Sequence, residues 1–297
     1  MDYSGTKPPK GTSPGPRDHG KRWGASYATQ FWLLSARSLK TRRFEALGLQ
    51  RFLQLFLVGL LTGLFWWQQG QVTSGAGGTR TSGDVQNTVG LLFFEMLFMS
   101  FASLFAALFT FPAEYRMLLK ERASGMYRLS AFYLARMISD LPLDCLYPSI
   151  FVFLLYWMGG LRADALAFLG NWLAVLLTVL VGQSLGLLLG TAVMNPKVAQ
   201  TFATVLMLTF MLTAGFYVDD IPVWIGWMKY LGFTYYTWRI LVKIQFGYSS
   251  LAKTEWPAGL TTPDEINLGL DFGILLVFLI GLRLANYAVL RHKTKLV

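Results

Sequence analysis

Six stretches of this chain, about 47–67, 87–111, 131–158, 165–192, 198–217 and 268–290, are long, apolar and sparsely charged. A helix needs roughly 20 apolar residues to cross the hydrocarbon core of a bilayer, so each stretch is a candidate span and together they take up most of the 297 residues. Composition agrees: 54% of residues are apolar and 15% aromatic, while only 14% are charged, about half the share usual in soluble domains. The expected fold is an all-α integral membrane protein with six transmembrane helices.

Between the second and third stretches runs a polar segment, Pro112 to Ser130, with Glu114, Arg116, Lys120, Glu121, Arg122 and Arg128 around Leu118 and Leu119. This pattern predicts a short amphipathic helix in a hairpin held in water. Net charge is +10, and its placement speaks for topology rather than nucleic acid. Eighteen Lys and Arg lie before or at the start of the first span, in this hairpin, at Lys197 and in the C-terminal tail; six lie on the other side, and Arg136 and Arg283 fall within spans. By the positive-inside rule both termini and the hairpin are cytosolic.

Residues 1–22 read as a disordered linker without the apolar core of a signal peptide. Residues 23–46 read as an amphipathic helix at the cytosolic membrane surface, with Phe31, Leu34 and Leu39 among Arg37, Lys40, Arg42 and Arg43; a plain basic anchor is the alternative. The remainder, 47–297, is the six-helix domain. Gly59 and Gly63, and Gly182, Gly186 and Gly190, are spaced four apart and mark packing seams. Trp66 and Trp67 end the first span, ahead of a Gly/Thr/Ser loop on the outside. Val218 to Tyr248 carries Asp219, Asp220, Lys229, Arg239 and Lys243 among Trp224, Trp227, Tyr230, Tyr235, Tyr236 and Trp238. Such charges are costly in a lipid-facing span, so one or two short re-entrant helices dipping into the outer leaflet are expected there.

No catalytic constellation is visible. His19 and His292 lie in the tails, Cys145 is alone within a span, and neither a metal-ligand pattern nor a phosphate loop occurs. Ionisable residues at membrane depth are the functional candidates. Arg136 and Asp140, four apart, can pair on one helix face, with Asp144 one turn further on. Glu95 must be neutral, find a partner or face a wet cavity. Phe94, Phe98, Phe101 and Phe105 make an aromatic stripe, and Thr201, Thr204, Leu208, Met211 and Gly215 a mildly polar one. Facing each other, the stripes would form a slot for a flat lipophilic ligand.

The blocks G-L-L-F-F at Gly90 to Phe94, F-T-F-P-A-E at Phe109 to Glu114, K-E-R-A-S-G-M-Y-R-L-S at Lys120 to Ser130, Y-W-M-G-G-L at Tyr156 to Leu161 and W-M-K-Y at Trp227 to Tyr230 together resemble the membrane domain of G-subfamily ABC transporters, the plant half-transporters above all. The resemblance covers about Ser35 to Tyr248. It implies an ATP-binding domain preceding the membrane domain, pairing of two halves, and a 112–130 hairpin and 27–43 helix that sit on the nucleotide domains. Lys120, Glu121 and Arg128 would then be coupling residues. It implies a substrate slot on the dimer axis at Phe98, Phe101, Thr204, Leu208 and Met211, with Glu95 nearby where relatives have an uncharged residue, and an exit plug at Phe216 and Tyr217.

The family's ATP-binding domain is absent from these residues, so a fragment, a truncated product or one part of a split transporter is expected. No cofactor is expected on this chain; ATP and Mg belong to the missing domain. The leading reading is the translocating half of an ATP-driven exporter of lipophilic small molecules or lipids, most naturally in the plasma membrane, with lipid, a second half and an ATP-binding domain as partners. A motor-less scaffold or regulatory partner of intact half-transporters is the rival. A lipid-modifying enzyme would need an acid, base or metal cluster at interface depth, and only Asp140 and Asp144 come near one.

Overall fold

The computed structural model describes residues 26–46, 49–70, 82–124, 126–217, 222, 224–247 and 266–294. In chain order the helices are α1 (Tyr27–Ala46), α2 (Leu49–Phe65), α3 (Ser82–Leu108), α4 (Thr110–Ala123), α5 (Leu129–Met158), α6 (Ala165–Val193), α7 (Pro196–Thr213), a 3-10 turn (Gly226–Leu231), α8 (Phe233–Phe246) and α9 (Leu268–Lys293). The linker expected at 1–22, most of the outer loop and Asp219–Asp220 lie outside the described residues.

Among the described residues, four helical segments are long and apolar enough to cross a membrane: Val85–Tyr115, Leu129–Met158, Ala165–Val193 and Leu268–Lys293. The first of these runs through α3 into the start of α4. The apolar part of α2, Phe52–Phe65, is shorter, and α7 has 18 residues. The break at Phe109 starts the expected amphipathic segment, which is α4.

Helix ends follow local chemistry. Asp164 caps α6 by accepting from the Leu166 amide at 3.2 Å, and Asn195 caps α7 through the Lys197 amide at 3.2 Å, with Pro196 at the first helical position. Between α6 and α7 only Met194 and Asn195 intervene, and Met194 takes a left-handed conformation (φ 57°). That sharp reversal returns α7 alongside α6. On α9, Asn267 accepts from Leu270 at 3.3 Å, and Lys293 reaches back to the Ala192 carbonyl at 2.6 Å.

The centre is α6, packed against α3, α8 and α9. The glycine seams lie where backbones come closest. A methyl group at Gly186 would stand 2.2 Å from the Leu104 carbonyl oxygen, and one at Gly190 2.2 Å from that of Leu108. On the other flank α2 lies on α5, with Gly59 facing Phe151 and Gly63 facing Met158. The Gln68 amide donates to Met158 O and that of Gly70 to Gly159 O, each at 2.8 Å, tying the ends of α2 and α5 together.

Two elements differ from their expected settings. α1 docks on α5 instead of resting only on a membrane surface: Gln30, Leu34 and Ser35 are buried while Trp32, Leu33 and Leu39 are exposed. The Ser139 hydroxyl donates to the Ser35 carbonyl at 3.2 Å. α8 is short, as expected for the 218–248 region, but it is an interior helix: 12 of its 14 residues are buried. Its Arg239 is paired within the protein, with Nε 3.2 Å from Asp271 of α9. The exposed aromatics of this region, Trp224, Trp227 and Tyr230, sit on or just before the 3-10 turn.

Candidate functional site

α3 buries one face in the core and leaves its phenylalanine stripe half-exposed. Phe94 and Phe98 stack on each other at 5.8 Å. Phe98 also stacks on Phe151 of α5 at 5.0 Å, and Phe94 lies 6.2 Å from Trp66 of α2. Phe101 and Phe105 stack at 6.0 Å further along. The stripe therefore divides: its first half serves α2 and α5, and its second half is freer.

α7 packs against α3 and α6 through Ala199, Ala203, Met207 and Phe210. Leu208 points outward (44% exposed), whereas Thr204 and Met211 are half-buried. The hydroxyls of Thr201, Thr204, Thr209 and Thr213 donate to carbonyls one turn back, at 3.2, 2.9, 3.0 and 2.9 Å. Their protons are used, which makes this face of α7 apolar in effect, with only oxygen lone pairs left to offer.

Glu95 lies off this face. It is fully buried against α6, and Asn171 Nδ2 donates to its two oxygens at 3.2 and 3.5 Å. The two resulting contacts tie α3 to α6 through a polar group inside an apolar seam.

At one end of α7 the chain turns through Gly215 (φ 97°) and sets two rings over α3. Phe216 stacks on Phe93 at 4.3 Å, Tyr217 meets Phe93 edge-on at 5.4 Å, and Trp238 of α8 meets Phe93 and Phe216 at 5.3 and 5.8 Å. Offset and edge-to-face geometries of this kind are the favourable ones for aromatic pairs. The resemblance named Phe216 and Tyr217 as an exit plug; their ring contacts with Phe93 and Trp238 were not signalled by the sequence.

At the opposite end α1 and α4 are clamped together. Arg37 Nη1 lies 3.1 Å from Glu121, and the Tyr127 hydroxyl donates to Glu121 Oε2 at 2.5 Å. Gln30 accepts from the Arg128 amide at 3.0 Å. Burial pushes the Glu121 pKa up, but the hydrogen bonds from Arg37 and Tyr127 and the Arg37 charge outweigh it, so the net shift is downward. Tyr127 is shifted up by burial and by its bond to Glu121. Of the expected coupling residues, Glu121 is thus engaged within the chain, while Lys120 and Arg128 are exposed.

Because the Glu121 pKa is depressed in the folded state, its contribution is fully present above the ordinary value of about 4.3 and is lost as pH falls through the lowered one. With Arg37 half-exposed, the pair is worth no more than about 1 kcal/mol. Amide exchange in α1 should therefore rise a fewfold below about pH 4, and Glu121→Gln should show raised exchange at pH 7 with a flatter acid response. Identical profiles for both proteins would remove the clamp.

Deeper in α5, Arg136 is bracketed by Glu114 at 2.7 Å and Asp140 at 3.4 Å. Asp144, without an evident partner in the sequence, accepts from Gln183 of α6, whose Oε1 accepts from Arg283 of α9 at 3.2 Å. Tyr133 donates to the Arg283 carbonyl at 2.8 Å and accepts from Asn286 at 3.4 Å. These polar links join helices and leave neither aspartate as a bare acid. The sequence pointed to the Arg136–Asp140 pair through its four-residue spacing; for the links to Glu114, Gln183 and Arg283 it offered no signal beyond ionisable residues at membrane depth.

Residues 29–246 match the ABC-2 type transporter family. The chain is 40% identical over 285 residues to ABC transporter G family member 14 of Arabidopsis thaliana, covering 93% of this chain and 42% of that protein. It is 43% identical over 230 residues to member 21 of the same plant, covering 77% and 33%. With Protein white of Drosophila melanogaster the identity is 26% over 294 residues, covering 94% and 42%. The chain thus spans well under half the length of these relatives.

Proposed function

The chain belongs to the ABC-2 type transporter family, and on that premise we propose that it is the substrate-translocating membrane half of an ATP-driven exporter of lipophilic small molecules or lipids. It works as a dimer with a second half, and ATP-binding domains outside these residues hold ATP and magnesium and supply the energy. In this reading α2 and α7 also cross, giving six spans. The 3-10 turn and α8 form the re-entrant segment, and both termini lie on the basic, cytosolic face of the plasma membrane. Lys120 and Arg128 are free to meet the ATP-binding domain, and the Arg37–Glu121–Tyr127 clamp makes α1 and α4 move as one body.

The observation that carries the reading is the half-exposed phenylalanine face of α3 beside the outward face of α7, ending under a ring cluster. A second half placed against it would close an apolar, aromatic-lined slot with a lid, the setting that suits a flat lipophilic ligand. Phe101 and Met211 are the residues to test, because Phe98 is also committed to Phe151 of α5.

With the ATP-binding domains present, Phe101→Ala and Met211→Ala should each lower stimulation of ATP hydrolysis by a lipophilic substrate about tenfold or more. Removing a fully desolvated ring or thioether anchor costs roughly 2 kcal/mol. Basal hydrolysis should be unchanged. Full stimulation in both variants would remove the slot assignment.

A further inference from the structure

The plug rests on a tryptophan whose polar atom is idle. Trp238 is 1% exposed, and its indole Nε1–H has no hydrogen-bond partner among the described residues. Buried indoles ordinarily find an acceptor, and an unpaired buried donor is a standing cost. The surrounding rings use Trp238 for its faces and edges: Phe93 and Phe216 both meet it nearly perpendicular, with interplanar angles of 86° and 88°.

The pyrrole edge of that indole looks toward Gly215. A methyl group at Gly215 would stand 3.7 Å from Trp238 Cδ1 and 3.9 Å from Nε1, so any side chain there would cover the donor. Glycine also permits the left-handed turn, at φ 97°, that lays Phe216 across Phe93. One residue therefore seats the plug and places no side chain against the buried donor beneath it.

We propose that Trp238 Nε1–H is a binding point under the plug, donating to a carbonyl or other acceptor oxygen of a lipophilic solute once Phe216 swings out of the ring stack. This rests on the export reading above and gives it a chemical preference. An acceptor-bearing solute pairs a donor that the closed protein leaves idle, and a pure hydrocarbon of the same shape does not. A preference of this kind is read as a loss of affinity on removing the donor that falls on an oxygen-bearing ligand and spares a hydrocarbon.

The test uses the full chain in lipid nanodiscs with 15N-labelled tryptophan. The Trp238 indole signal is assigned by its loss in Trp238→Phe, which keeps an aromatic ring and removes the donor. The probes are prodan, an apolar naphthalene carrying a ketone, and diphenylhexatriene, which has no oxygen. Prodan should shift the Trp238 signal saturably, and Trp238→Phe should weaken prodan binding about three- to tenfold while leaving diphenylhexatriene binding unchanged.

An indole signal that prodan does not move overturns the proposal, as does an equal loss of both probes in Trp238→Phe, which would mean that the ring matters only for packing. If Trp238→Phe does not fold, β-(3-benzothienyl)alanine at position 238 removes the donor at constant ring size, and the same outcomes apply. Because probe binding needs no ATP, failure of ATP-driven export would leave the indole shift in place. Equally, export without the shift would overturn this inference alone.

Discussion

Gly186→Ala is expected to leave little correctly folded protein. The added methyl would meet the Leu104 carbonyl oxygen at 2.2 Å and the Ala107 Cβ at 3.1 Å. The first contact is with backbone of a buried helix turn, so no side-chain rotation relieves it; α3 and α6 must move apart. Overpacking a tight interior costs roughly 1–3 kcal/mol and occasionally more, and a clash with rigid backbone belongs at the upper end or beyond. In lipid there is no compensating hydrophobic drive between helices, because association rests on close packing itself.

The effect should spread, since the Glu95–Asn171 contact crosses the same seam and would be stretched with it. Gly190→Ala, at 2.2 Å from the Leu108 oxygen, should behave alike. Gly281→Ala on α9 is the control: nothing lies within 4 Å of its added methyl, so thermal unfolding in nanodiscs should be unchanged or slightly raised. Equal unfolding temperatures for the Gly186 and Gly281 variants would contradict the seam.

The second large effect is expected at Arg136, 7% exposed between Glu114 and Asp140. Arg136→Met keeps an unbranched apolar stem but removes the cation between two carboxylates, one of them on a residue only 3% exposed. Breaking a buried ion pair from one side costs about 3–5 kcal/mol, whereas replacing all partners by neutral groups is often tolerated. The single variant should therefore unfold far more readily. The triple variant with Glu114→Gln and Asp140→Asn should recover most of the loss. If the single variant is as stable as the parent, the triad carries no weight.

What could be read from residues alone was local. Long apolar runs announce α3, α5, α6 and α9 because one run suffices to fill a membrane span. Glycines four apart announce close approach because the spacing itself makes the groove, and the α3–α6 seam lies where Gly182, Gly186 and Gly190 point. The setting of α8 could not be reached this way. Its Arg239 looks like a headgroup charge until Asp271, 32 residues later in the chain, comes within 3.2 Å. Asp144 likewise finds Gln183 only through the packing of α5 on α6.

The ring cluster at the end of α7 shows the same division. Phe216 and Tyr217 were placed by resemblance, and nothing in the spacing tied them to Phe93 or Trp238, which come from α3 and α8. The stripe on α3 was visible as a period, but its division between structural duty at Phe98 and freer surface at Phe101 depends on where α5 packs.

The most direct test of the central claim is ATP-dependent movement of a lipophilic dye such as prodan across sealed vesicles containing this membrane domain together with an ATP-binding domain, with the ATP site intact or disabled. Export reading predicts dye movement that needs the intact ATP site and falls in Phe101→Ala. Vesicles that hydrolyse ATP, hold the dimer and move no substrate across a broad lipophilic panel would contradict it and leave the chain a scaffold.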